Sequence, residues 1–363
     1  MNGSAAPDDG AEPDGQGTTV RLRALAALLR RVTVVAEDVG DRFPLYADPS
    51  SGRWKTTRRG SWTGGFWAGW WWLRSEATGH PGDLRTVHRW CRRLLPRASD
   101  DTVTRGMTFW YGAGAVAAAG GDPVARQVAD AGAVALAGAF EPRRNLIVVG
   151  NAFQASVTPK AAIDALAGTV RLLGFAADNG RPDMDSLALR HTREHVRLLV
   201  GGDGRVTPEV DLSRPVDGEG GAGSWSRGQA WGVLGLAAAA RRWDEFVVPA
   251  RRAAGWWLEQ FGAGVPPAVL GHPQGPRDTS AAAIVAAGLL DLSTVTGEDR
   301  WASAAGSIVD RLIRGHLDDE GVLRDGCYDL AAGVGIRHEL VWGSFFLTGV
   351  LATLTGRTPR SLW

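Results

Sequence analysis

The sequence predicts an all-α protein assembled from six helical hairpins, and three observations carry that prediction. Ala/Leu-rich stretches with helical spacing are punctuated by a recurring phrase: a helix end, a Gly/Asp turn, then another helix. The phrase returns at roughly 40 to 60 residues, a period that fits helical hairpins and is too long for single-helix units. Period-two alternation is scarce, so β structure is expected to be minor. Hairpins of this kind can close into a ring of inner and outer helices.

Taken in order, residues 1–17 are small, acidic and rich in Pro and Gly, and are expected to be a disordered tail without a secretory signal, ahead of one domain over 18–363. Leu22 to Val35 has apolar residues at helical spacing broken by Arg23, Arg30 and Arg31, which reads as an amphipathic helix. No segment is expected to span a membrane. Arg58 to Leu73, RRGSWTGGFWAGWWWL, packs rings, glycines and small hydroxyls densely enough to suggest a sugar platform, or alternatively a buried helix start whose Trp residues fill space. The phrase then recurs from Ala77, Ala118, Ala177, Ala240, Thr296 and Leu354. Strand candidates are NLIVVG at Asn145 and GRVTPEVDL at Gly204. Thr158-Pro159 reads as an N-cap and first position of a helix that carries Lys160 and Asp164 one turn apart.

Composition narrows the function classes. Of 363 residues, 44% are hydrophobic and 22% charged, enough to bury a sizeable core. Forty basic residues, all but two of them Arg, oppose 39 acidic ones, and no basic block interleaves with aromatics, so nucleic acid is not expected as a partner. The Arg, Ala and Gly usage suggests a GC-rich bacterial source. Only Cys91 and Cys327 are present, which fits a reducing cytoplasm rather than a disulfide framework. His191-Thr192-Arg193-Glu194-His195 matches an inverted zinc-peptidase pattern, but without a third ligand it reads as the solvated side of an amphipathic helix. Gly218, Gly220 and Gly223 match a dinucleotide fingerprint yet follow a polar run instead of a buried strand, which makes them a loop.

More informative is GSWSRGQAW from Gly223, where Trp225, Arg227, Gln229 and Trp231 supply rings and hydrogen-bonding forks suited to a sugar; the alternative is a capped helix with Arg227 in an ion pair. In PRDTSA, Asp278 or Ser280 is expected to cap the Ala-rich helix that follows.

With SWTGGFWAG at Ser61, SWSRGQAWG at Ser224, PRDTSAAAI at Pro276, GCYD at Gly326 and IRHELVWGSFF at Ile336 occurring in that order, the chain resembles the unsaturated glucuronyl hydrolases of glycoside hydrolase family 88 and the related unsaturated rhamnogalacturonyl hydrolases. The resemblance runs from about Phe43 to Leu351. It implies an (α/α)6 barrel with an aromatic cleft at one end, a sugar or glycoside substrate, and no metal or organic cofactor. It also implies a reaction in which an Asp protonates the 4,5 double bond of a terminal unsaturated uronic acid, water adds at the adjacent carbon, and the hemiketal falls apart. Asp164, in Ile163-Asp164, stands at the position of that general acid/base. A donor working near neutrality needs its pKa raised from about 3.9 to roughly 6, about 3 kcal/mol against the anion, and a Lys160 pair would oppose this.

The sequence departs from the family at two places. The second family Asp aligns with Thr104, beside Arg105, and a family His falls near Thr207-Pro208-Glu209. Thr104 cannot supply a negative charge. Glu209, Asp211 or a substrate group would have to replace it; alternatively the chain is a repurposed enzyme for an unusual sugar or natural product with Arg105 as anion anchor, or a sugar-binding protein without turnover. The surface expected to contact substrate comprises Trp62, Trp67, Arg105, Trp110, Tyr111, Trp225, Arg227, Gln229, Trp231, His338, Trp342 and Ser344, with Trp62 and Trp67 stacked at the barrel mouth.

Overall fold

A computed structural model describes residues 13–152, 158–213 and 225–357. The chain starts with an outer helix, α1 (Pro13–Val39). An inner α2 (Gly64–Thr78) then pairs with an outer α3 (Pro81–Leu94). The next inner element is composite: α4 (Arg105–Phe109), a π-helical turn (Trp110–Gly114) and α5 (Ala115–Gly120), followed by the outer α6 (Pro123–Ala137). Three further inner–outer pairs follow the same plan: α7 (Leu166–Asp178) with α8 (Asp183–Leu199), α9 (Ser226–Ala240) with α10 (Val247–Phe261), and α11 (Thr279–Thr296) with α12 (Asp299–His316). The inner α13 (Val341–Leu354) returns to pack on α1 and α2. Each inner element touches the next around the circle, from α2 through the π-turn, α4, α7, α9, α11 and α13 back to α2, which makes this an (α/α)6 barrel.

The recurring phrase has a local cause. Gly79 and Gly121 close their helices at φ 62° and 68°, where a side chain is strained, and His80-Pro81 and Asp122-Pro123 then cap and open the next helix. Inner helices are buried all round and outer ones on one face. α11 is long and apolar enough to cross a membrane by length and composition, against the sequence expectation, yet 78% of that stretch is buried at the barrel's centre. Cys91 and Cys327 are both free and buried.

β structure is minor, as expected. β1 (Phe43–Ala47), β2 (Trp54–Thr57), β7 (Gly326–Asp329) and β8 (Val334–Leu340) form an antiparallel sheet in the order β2-β1-β8-β7. β3 (Phe140–Glu141) pairs β4 (Leu146–Ile147), and β5 (Lys160–Ala162) pairs β6 (Glu209–Asp211). Both strand candidates from the sequence therefore contain short strands.

Several expectations are corrected. α1 begins at Pro13, so the end of the supposed disordered tail is helical; its earlier residues lie outside the described ones, as does the glycine-rich loop at 218–223. Thr158-Pro159 does not start a helix. It leads into β5, and the helix proper begins at Leu166 after a short 3-10 turn, Ile163–Ala165. The two histidines of α8 are not on a solvated face. They are buried with rings 4.1 Å apart: Nδ1 of His191 accepts from the Ile147 N–H at 3.1 Å, and His195 Nε2 lies 3.2 Å from the Ala162 carbonyl. Burial holds both below the ordinary His pKa. Arg193 and Glu194 point outward to Glu245 and Arg197. Among the described residues no His/Cys/Asp/Glu group could hold a metal.

Candidate active site

Because each inner helix follows an outer one running the opposite way, all six inner helices run parallel and present their N-terminal ends at the same end of the barrel. The conspicuous residues cluster there: Trp62 just before α2, Thr104 just before α4, Asp164 in the turn before α7, Arg227 in the first turn of α9, Asp278 capping α11, and Trp342 in the first turn of α13. Six N-termini give this end a positive potential that favours an anionic ligand.

One wall is aromatic. Trp62, in a 3-10 turn entered through Gly60 and Ser61 at positive φ, lies 4.8 Å from Trp342 and 6.3 Å from Tyr328 (ring centroids), and its Nε1–H donates to the Tyr328 hydroxyl at 3.3 Å. The four-stranded sheet extends the wall. It brings Tyr46 within 5.4 Å of Tyr328 and 5.3 Å of His338, whose Nδ1 is 2.7 Å from the Ile336 carbonyl and whose Nε2 is 3.9 Å from Asp48.

Arg227 forms the hinge of the wall. It is buried, donates to Asp278 Oδ2 at 2.6 Å and to the carbonyls of Cys327 and Tyr328, and stacks 4.4 Å over Trp225 and 5.5 Å from Trp342. Its Nε–H has no acceptor among the described residues. Asp278 caps α11 as expected, accepting from the Ser280 N–H, and at the same time neutralises Arg227.

Asp164 lies in the turn that packs against α9, near enough to feel the Arg227 charge. Burial pushes its pKa up to about 6; the neighbouring Glu209 pushes in the same direction, while the backbone N–H of Ala165 and the Arg227 charge pull back. Lys160 does not form the opposing pair that a helix would have allowed. In β5 it turns to Glu209, 2.7 Å away across the strand ladder, and Ala162 rather than Lys160 is the register partner of Glu209. Asp211 is occupied in a turn, accepting from the backbone and hydroxyl of Ser213.

The other predicted contact residues divide sharply. Trp62, Trp225 and His338 lie part-exposed at this end of the barrel, with Arg227 and the fully buried Trp342 packed beneath them. Trp67 does not: it is fully buried among Trp70, Trp71 and Trp90. Tyr111 and Trp231 pack around Phe66 in the core, and Trp110 lies with Phe175 and Arg171 beside the turns that end α7. Gln229 is spent on the chain itself, accepting from the Val206 N–H and donating to the carbonyls of Gly204 and Ala253. Ser344 is buried against Glu339. Arg105 is also buried, its guanidinium donating to the carbonyls of Thr102 and Ala98, so it is not an anion anchor in the cleft. Thr104 bonds Thr102, hydroxyl to hydroxyl at 2.9 Å. Tyr46 and Tyr328 were missed by sequence reasoning; the Tyr of GCYD, next to a strand-forming Cys, was the available signal for the second.

No family model matches the sequence. The chain is 29% identical over 345 residues to the unsaturated glucuronyl hydrolase of Bacillus sp. (strain GL1), spanning 87% of this chain and 91% of that protein. Its fold superposes on the crystal structure of unsaturated glucuronyl hydrolase from Bacillus sp. GL1, described as responsible for the degradation of glycosaminoglycan, with a TM-score of 0.85 at 25% identity over 94% of this chain and 99% of that one. An Asp-to-Asn variant structure with dGlcA-Glc-Rha-Glc gives the same TM-score and identity over 94% and 98%. The Streptococcus agalactiae unsaturated glucuronyl hydrolase, at 19% identity and a TM-score of 0.84 over the whole of both chains, shares the fold.

Proposed function

We propose that this chain, a homologue of the unsaturated glucuronyl hydrolases, hydrolyses an unsaturated uronic acid end or a closely related enol-ether sugar, with Asp164 as general acid/base. The proton leaves the Asp164 carboxyl for C4 of the ring double bond, and positive charge develops at C5 and the ring oxygen. Water adds at C5 and returns a proton to Asp164. The hemiketal so formed opens and releases the glycosidic partner. The observation that carries this reading is Asp164 itself: a carboxyl raised to about 6 is still substantially protonated where a carboxyl at its ordinary value would be an anion. The part-exposed rings of Trp62 and Trp225, backed by the buried Trp342, suit the apolar face of a sugar, and six helix N-termini suit its carboxylate.

Thr104 leaves one carboxylate fewer than the family pattern, and Glu209 takes that part at a distance: its charge raises the Asp164 pKa while Lys160 fixes its position. Arg105, bound to backbone carbonyls, gives no support to a repurposed anion site. The test is turnover of an unsaturated glucuronyl disaccharide, followed through loss of the double bond's ultraviolet absorbance. The rate is expected to fall as pH rises through about 6. Asp164→Asn is expected to lose about 10³-fold in kcat, and Glu209→Gln to move the pH limb downward. Absence of turnover by the parent protein at every pH, or an active Asp164→Asn, removes the reading.

A further inference from the structure

Away from the cleft, two open basins of about 780 and 580 Å³ join along the outside of the barrel, sharing Gln260, Phe261 and Arg277. Their wall is the segment between α10 and α11: Val269 bridges Trp225, Pro267 bridges Arg277, and the segment ends at Asp278, the partner of Arg227. The groove thus turns the corner from the cleft along one continuous piece of chain.

Its chemistry is lopsided. Arg277 lines both basins, Arg311 and Arg314 on α12 line the smaller one, and among the described residues no carboxylate lines either. All three arginines are exposed. Asp310, the nearest acid on α12, cannot neutralise them, because both of its oxygens are held by Arg21 at 2.8 and 2.9 Å. Like charges gathered on an otherwise near-neutral protein raise the local concentration of a multivalent anion. Partly exposed Trp256, lying edge-on to Phe261 at 6.2 Å, adds an aromatic face to the larger basin, which Arg277 also lines. Arginine forks beside an exposed indole match sulfate or carboxylate groups carried on sugar rings.

We propose that this groove is a second glycan site, which holds an anionic polysaccharide chain outside the catalytic cleft. It does not depend on the reaction assigned to Asp164. The probes are immobilised heparin and a heparin oligosaccharide for sulfate, polygalacturonate for carboxylate, and single-stranded DNA of equal charge as the rival polyanion. Calorimetry on the full chain is expected to show salt-sensitive binding of one of the two glycans, weakened by about tenfold or more in Arg311→Ser/Arg314→Ser. Trp256→Ala should weaken glycan binding further without changing the response to salt. Turnover of a small unsaturated disaccharide should match the parent in both variants, since none of these side chains touches Asp164 or Arg227, and the thermal midpoint should match in Arg311→Ser/Arg314→Ser, whose side chains are exposed. The proposal is overturned if neither glycan binds, if DNA binds as tightly, or if the double variant binds as the parent does.

Discussion

At the scale of single residues, Asp164 is held at a cost to stability. An acid whose pKa is raised in the folded state binds its proton more tightly there than in the unfolded chain. Below about pH 4 both states are protonated and the penalty is absent. As pH rises from about 4 to 6 the unfolded chain ionises first, and above about 6 the folded protein carries up to about 3 kcal/mol of destabilisation. Asp164→Asn, which keeps the shape and removes the charge, is therefore expected to raise the thermal midpoint at pH 8 and to lose that advantage by pH 4, as scanning calorimetry at the two pH values would show. An unchanged midpoint at pH 8 would mean that the carboxyl is better solvated than its position suggests. The identity of this residue was legible in the sequence only through family resemblance. Its raised pKa was not, because the rule that places Lys160 one helical turn away fails when the segment is a strand that turns Lys160 toward Glu209.

At the scale of elements, the Trp- and Gly-rich segment divides between its two readings: Trp62 stays part-exposed at the barrel end, while Trp67, Trp70, Trp71 and Trp72 fill space in a buried helix. Sequence cannot tell a glycine that admits a ligand from one that admits another helix. A Cβ on Gly65 would stand 2.4 Å from the Thr108 carbonyl oxygen, and one on Gly69 would stand 2.6 Å from that of Tyr111, so these glycines let α2 lie against the composite inner helix. Gly65→Ala presses on backbone rather than on a side chain that could rotate, and is expected to cost about 3 kcal/mol or more in urea unfolding; a loss below about 1 kcal/mol would show that the two helices slide apart easily. The same limit explains Trp67, Tyr111, Trp231 and Gln229. In a buried inner helix every face is a contact face, so proximity in sequence to Trp62 or Arg227 says nothing of which side chains reach the cleft. What periodicity and turn chemistry did disclose was the hairpin repeat, since each Gly cap and Asp or Pro start is a local requirement.

At the scale of the whole molecule, the ring is closed by an ion pair between its ends. Arg31 on α1 meets Glu339 on β8, Nη2 to Oε2 at 2.7 Å, with Ser344 supporting the carboxylate and both charged groups largely out of water. Glu339→Gln leaves the Arg31 charge without its partner in the interior and is expected to destabilise by about 3 to 5 kcal/mol, measurable as a drop in the urea midpoint; a change within 0.5 kcal/mol, roughly the size of a surface substitution, would place this pair outside the structural core. No pattern in the sequence links positions so far apart, and neither residue was singled out from it.

The closure has a consequence in time. Five of the six inner–outer units are made of neighbours in the chain and can form as soon as they are translated. The sixth joins α1 to α13 across the 308 positions that separate Arg31 from Glu339, so α1, though synthesised early, waits for nearly all the rest before its apolar face of Leu25, Leu28, Val32 and Val35 is fully covered. Ribosome-bound chains halted before α13 are accordingly the species in which this helix is most open to proteases and to holdase chaperones.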